Sequence, residues 1–150
     1  MTRHEEALGT GDAVSSEIVN DGWRKQLGHD WLPAVTAEQA GVHLAAIATA
    51  HDLTLFAHYT TDTAGHRQEM EDAVVALERV DSFLAGVASS LSADTLMIVA
   101  SDHGNVEDVT TGHTRNPALG VAAGPGAGEA LTMRDLRQVA PFILRALDIH

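Results

Sequence analysis

Thr95-Leu96-Met97-Ile98-Val99-Ala100, followed at once by Ser101-Asp102-His103-Gly104-Asn105-Val106-Glu107-Asp108 and then by Gly112-His113-Thr114, is the stretch on which the fold turns. The apolar run is short, β-branched near its end and bounded by polar residues, as a buried strand is. Asp102 and His103 stand where that strand ends, and His113 follows ten residues later in a loop with no helical period. Mixed histidine and carboxylate sets hold ions such as Zn²⁺ and Mn²⁺. Asp and Asn also build turns through their own side-chain hydrogen bonds. By itself, Asp-His-Gly-Asn reads equally well as a polar turn, and the rest of the chain has to decide.

Moving toward the N-terminus, residues 68–91 carry the clearest helical pattern. Met70, Ala73, Val74, Leu77, Val80, Leu84, Val87 and Leu91 recur at three- and four-residue steps, with Glu69, Asp72, Glu78 and Arg79 on the other side. Before this helix, Leu53-Thr54-Leu55-Phe56-Ala57-His58-Tyr59 reads as a second strand. Thr60-Thr61-Asp62-Thr63-Ala64-Gly65-His66 links the two. Asp62 and His66 are four apart, which on a helical turn puts them on one side, although Thr61 or Asp62 also serves as a helix cap.

Thr36 with Gln39 three residues on forms a capping box, so a helix is expected over about 37–50. His43 on it and His51 just beyond it read as bystanders. The apolar residues Val14, Ile18, Val19 and Trp23 predict an amphipathic helix over about 13–27, stopped by Gly28. Residues 1–12 are a disordered or extended lead-in, and 13–150 form the domain. On the other side of the opening stretch, residues 117–123 are a third strand and Gly124-Pro125-Gly126 a turn. Thr132 with Asp135 caps a last helix over about 133–147, with Leu136, Val139, Ala140, Ile143, Leu144 and Leu147 inward and Pro141 kinking or splitting it.

Strands alternating with helices predict an α/β fold: three layers, a mostly parallel mixed sheet with helices on both faces. Sites in such sheets lie at the carboxyl ends of the strands. Asp62 with His66, and Asp102 with His103, both follow strands. The loop 101–116 has no crossover helix, so strand 117–123 is expected to run antiparallel to 95–100, which brings His113 to the same edge. Three separate segments thus deliver two carboxylates and three imidazoles to one place. Caps and turns explain that convergence less well than a metal site does.

Composition narrows the function further. The 150 residues suffice for one domain with a sizeable core. No apolar run approaches the roughly 18 residues of a membrane helix, and Met-Thr-Arg-His-Glu-Glu is no secretory signal. Lys plus Arg number 9 against 21 Asp plus Glu, a formal charge of −12 with no basic face for nucleic acid. There is no cysteine, which excludes thiolate metal sites and disulfides and points to a reducing, cytoplasmic setting.

Thr61-Asp62-Thr63-Ala64-Gly65-His66, Ser101-Asp102-His103-Gly104-Asn105 and Gly112-His113-Thr114-Arg115-Asn116-Pro117 together resemble the metal motifs of the alkaline phosphatase superfamily. The closest likeness is to its cofactor-independent phosphoglycerate mutase and metalloenzyme-domain branch, from about Val35 to the C-terminus. The resemblance implies two divalent ions, Mn²⁺ or Zn²⁺: Asp62, His66 and His113 would hold one, Asp102 and His103 the other. Two carboxylates against two dications leave the site about +2, attractive to a small phosphorylated substrate despite the acidic chain. Glu107, Asp108 and Arg115 would be supporting or surface residues.

The family's opening strand ending in Asp, and its nucleophilic Ser or Thr, have no counterpart here. Asp12-Ala13-Val14-Ser15-Ser16 lacks a preceding strand, and Asp21-Gly22-Trp23 lies in a helical pattern. The family's inserted basic domain has no room, and Lys25 is the one lysine. The chain therefore looks like the C-terminal half of such an enzyme, without its N-terminal strands: either a fragment or a short form that completes itself by oligomerising. The expected function is a metal-dependent phosphomutase or phosphatase-like hydrolase acting on phosphate esters through a two-metal site. The alternative is a non-catalytic metal-binding or interaction module that has lost the nucleophile.

Overall fold

Thr36 starts the scaffold. Its hydroxyl accepts from the Gln39 N–H at 3.1 Å while the Gln39 side chain accepts from the Thr36 N–H at 3.0 Å, the reciprocal cap expected of this sequence. The computed structural model describes residues 5–148. Its helices are α1 (Glu5–Thr10), α2 (Asp21–Lys25), α3 (Ala37–Thr49), α4 (Thr60–Arg67), α5 (Met70–Ser90), α6 (Ala127–Ala130) and α7 (Val139–Ala146). Its strands are β1 (Met97–Ala100) and β2 (Gly120–Ala123).

The core lies where α3 crosses α5. Ala40, Phe83 and Val87 are buried there with Ile18, and Val35, Leu44, Phe56 and Met97 pack around them. The Phe56 and Phe83 ring centroids are 5.0 Å apart. Burying one such side chain contributes about 1.5–3 kcal/mol. Two glycines allow the close crossing. A Cβ on Gly41 would meet the Phe83 carbonyl oxygen, and one on Gly86 the Glu38 carbonyl oxygen, so each backbone lies against the other helix.

The sheet is smaller than the sequence predicts. Among the described residues it has two strands, β1 and β2, antiparallel, with Met97 opposite Ala123 and Ala100 opposite Gly120. The antiparallel pairing across the 101–116 loop is as expected, but the three-layer, mostly parallel sheet is not formed. Residues 53–59 are extended and keep a strand's alternation, with Phe56 and His58 turned inward and Leu53, Leu55 and Tyr59 outward, Leu55 being 89% exposed. Their backbone has no strand to pair with among the described residues, so alternation produces no ladder. No residue of β1 is fully buried either, because no helix layer covers both faces.

Two further corrections have local causes. Over 13–27 only Asp21–Lys25 is helical. Buried Ile18 takes a left-handed φ of 73°, Ser15 Oγ accepts from the Glu17 N–H, and the Asn20 amide donates to the Pro33 carbonyl. Such side-chain bonds compete with helix formation. Within the expected lead-in, Glu5–Thr10 is a helix with Leu8 buried, not an extended segment; residues 1–4 lie outside the described residues.

The C-terminal helix is split. Asp135 caps a 3₁₀ turn, Leu136–Gln138, and α7 follows with Pro141 in its first turn, where a missing N–H costs nothing. Phe142 is the buried residue of α7, while Leu136 and Leu144 face outward. Met70, Val74 and Leu77 of α5 are likewise exposed, so that predicted stripe is only partly covered.

Gly41→Ala or Gly86→Ala would drive a methyl group into backbone that cannot turn aside. Overpacking of this kind typically costs about 1–3 kcal/mol. Urea denaturation of either variant should show a loss at the upper end of that range, and a change below about 0.5 kcal/mol would contradict this account of the crossing.

Candidate metal centre

The site is assembled on α4 and on the loop that leaves β1. Asp62 and His66 sit one turn apart on α4, with His66 Nε2 3.6 Å from Asp62 Oδ1. The helix ends just beyond, at Gln68 in a left-handed conformation. The same Asp62 oxygen is 3.7 Å from His103 Nε2 and 3.4 Å from His113 Nε2. The Nε2 atoms of His66 and His113, 47 residues apart in sequence, stand 3.0 Å from one another, a hydrogen bond in which one nitrogen must carry the proton. The His103 and His113 rings stack with centroids 3.9 Å apart.

Four of the five residues singled out by sequence therefore meet at one point. Asp102 reaches it through its neighbour, with Oδ1 3.6 Å from His103 Nε2 and its side chain largely exposed. His103, paired with Asp102 by the resemblance, also faces the Asp62 oxygen, so its Nε2 lies between the two carboxylates.

The donor set fits a divalent ion. In a tetrahedral shell with metal–nitrogen bonds near 2.0–2.1 Å, neighbouring donors lie about 3.3 Å apart. The separations of 3.0, 3.4, 3.6 and 3.7 Å bracket that spacing. Asp62, His103 and His113 each offer a ligand atom within 4.8 Å of the others. Neutral imidazole and carboxylate suit Zn²⁺ and Mn²⁺. His103 Nδ1 is buried with no partner among the described residues, which leaves one ring without the usual support for its second nitrogen.

Asn105 and Glu107 hold this arrangement together. Asn105 is 4% exposed, and its amide nitrogen donates to both the Asp62 carbonyl at 3.1 Å and Asp62 Oδ1 at 2.6 Å. Gly65 makes the room, since a Cβ there would collide with the Asn105 amide. Glu107 accepts from the Asn105 N–H at 2.6 Å, from Asn116 Nδ2 at 3.1 Å and from the Thr114 hydroxyl. Thr114 N–H in turn donates to the Gly104 carbonyl at 2.8 Å. The segment carrying His103 and the one carrying His113 are thus clamped side by side.

Charge follows the same contacts. Desolvation raises the pKa of Asp62, but the Asn105 hydrogen bond and the three neighbouring imidazoles outweigh it and hold the carboxyl below its ordinary value. The Thr114 hydroxyl, with the Asn116 amide and backbone N–H groups, brings Glu107 from 4.5 down to about 2.

Sequence spacing found the ligand-type residues because two of them share a helical turn and the others follow a strand. It gave Asn105 a turn role and left Glu107 among the supporting or surface candidates. Their bonds to Asp62 and Asn116 are long-range or loop-dependent, and only the Asp-His-Gly-Asn-x-Glu juxtaposition hinted at them.

Because folding lowers the Glu107 pKa, its clamp adds stability above its ordinary value of 4.5 and loses it as pH falls through about 2. Hydrogen exchange in 103–116 should therefore keep its protection from pH 7 to pH 4.5 and lose it toward pH 2. Glu107→Gln should expose the same loop at neutral pH while leaving α3 and α5 protected. Equal protection of 103–116 in wild type and variant would contradict the clamp.

Residues 33–149 match the family model described as the metalloenzyme superfamily. Among curated proteins, the chain is similar to the 2,3-bisphosphoglycerate-independent phosphoglycerate mutases of Cereibacter sphaeroides (30% identity over 131 residues) and Roseobacter denitrificans (33% over 134), each alignment covering 81% of this chain and 26% of the relative. That of Halobacterium salinarum is 32% identical over 108 residues, covering 65% of this chain and 21% of the relative. The chain thus spans about a quarter of the length of the curated relatives it matches. No solved structure matches it. With the family model covering most of the sequence and the clustered histidines inside the matched region, the chain belongs to the metalloenzyme superfamily.

Proposed function

We propose that this chain is the metal-binding portion of a phosphoglycerate mutase-like enzyme, a metal-dependent phosphomutase or phosphatase-like hydrolase acting on phosphate esters. The observation that carries the reading is the convergence of three imidazoles on one oxygen of Asp62, at 3.4–3.7 Å, inside the region that matches the family. Asp62, His66 and His113 would hold one divalent ion. Asp102 and His103 would hold a second, His103 Nε2 lying 3.6 Å from Asp102 Oδ1. Bound there, Mn²⁺ or Zn²⁺ would neutralise the ester's charge and polarise the attacking and leaving oxygens.

The chain's own residues would prepare the site. Asp62 is a carboxylate at neutral pH, as an ordinary aspartate is, and its neighbours hold its pKa lower still. The imidazoles supply neutral donors, so the ions keep net positive charge to attract a small phosphorylated substrate. Ser15 is buried and its hydroxyl accepts from Glu17, and the Ser16 carbonyl bonds His58 Nδ1 at 2.8 Å. The nucleophile and basic substrate contacts would come from polypeptide corresponding to the unmatched three quarters of the relatives. The outward Leu53, Leu55 and Tyr59, with the free edges of β1 and β2, are where its strands would add. The cytoplasmic setting expected from the cysteine-free composition belongs to the same reading.

Calorimetric titration with Mn²⁺ and Zn²⁺, paired with an assay on an aryl phosphate monoester, tests the proposal. His113→Ala should weaken binding at least roughly tenfold, with its melting temperature in EDTA unchanged. Two ions per chain support the enzyme reading, with turnover expected only once the nucleophile-bearing polypeptide is supplied; one ion without turnover supports a non-catalytic metal module. No binding, with a wild-type melting temperature indifferent to EDTA, would contradict both.

A further inference from the structure

We propose that Asn105, held in place by Glu107, is the positioning residue of the metal centre: its amide N–H groups fix where the Asp62 carboxylate points. The inference rests on the metal-binding reading above.

Three observations carry it. Asn105 is almost wholly buried, yet it lies on a loop, so packing and hydrogen bonds rather than regular structure hold it. Its Nδ2 spans the carbonyl and the carboxylate of the same residue, Asp62, at 3.1 and 2.6 Å. Both Asp62 atoms are acceptors, so the amide can face them only with its nitrogen. Because one amide grips backbone and side chain together, the carboxylate cannot rotate without breaking the bond to Oδ1. That oxygen is the one the three imidazoles surround.

The geometry also joins the two halves of the site. Asp62 and His66 arrive on α4, while His103 and His113 arrive on the loop after β1. Asn105 crosses that gap, with Gly65 leaving space for it on the helix side. On the loop side, Glu107 holds the Asn105 N–H and the Thr114–Asn116 segment together. Loss of the Asn105 amide would therefore separate the donors without removing any of them. A filler of the same volume would have no such effect.

This distinction sets the test. Asn105→Ala removes the grip and leaves a small void. Asn105→Asp keeps the size but sets a second carboxylate against Asp62. Mn²⁺ and Zn²⁺ affinities should fall roughly 10–100-fold in both, the range typical of residues that orient metal ligands, with little change in the melting temperature measured in EDTA. Asn105→Asp should be at least as weak as Asn105→Ala. Wild-type affinity in Asn105→Asp would show that Asn105 only fills space and would overturn the proposal. If either variant fails to fold, Glu107→Gln decides, since Glu107 is exposed: a several-fold loss of affinity supports the proposal and none overturns it. A wild-type protein that binds neither ion would instead sink the metal reading itself, and this inference with it.

Discussion

The hydrogen bond from Asn105 to Asp62 is the constraint on which the rest of the site depends. At 2.6 Å it ties an ionised carboxylate on α4 to a buried amide on the loop beyond β1, across 43 residues of sequence. Without it, the helix and the loop would each carry half of a donor set with no bond fixing the direction of the Asp62 carboxylate. With it, three imidazole nitrogens stand 3.4–3.7 Å from one carboxylate oxygen.

The scaffold behind the site serves the same end. The α3–α5 crossing supplies the rigid core, and Gly41 and Gly86 let it close. Phe56 anchors the extended segment that leads into α4, and Met97 anchors the strand that leads into the 101–116 loop, both against that core. The two segments that deliver the donors are therefore fastened to one body. Elsewhere the packing is open. The outward apolar residues of 53–59, the two-stranded sheet and the partly bare stripe of α5 are exposed, and the chain spans about a quarter of the length of the curated relatives it matches.

Legibility from sequence followed the range of the interactions. The start of α3 was readable because Thr36 and Gln39 bond each other within three residues. The Asp62–His66 pair was readable because four residues is one helical turn. The antiparallel return of β2 followed from a loop whose sequence carries no crossover helix. Pairing of residues 53–59 was not readable, because alternation reports which side chains face inward and says nothing of a neighbour for the backbone. Nor was the break over 13–20, where Ile18 takes a conformation that β-branched residues rarely adopt. Asn105 escaped notice as more than a turn residue because its partner is distant in sequence, and distance of that kind leaves no period or spacing to find.

The central proposal is that Asp62, His66 and His113 form a place for a divalent cation, with His103 beside it serving a second. Anomalous diffraction from Mn²⁺-loaded crystals, recorded on both sides of the manganese edge, tests it most directly. The account predicts a strong peak bounded by Asp62 Oδ1 and histidine Nε2 atoms, with bonds of about 2.0–2.3 Å. A cluster with no peak, while manganese sits instead on scattered surface carboxylates, would contradict it.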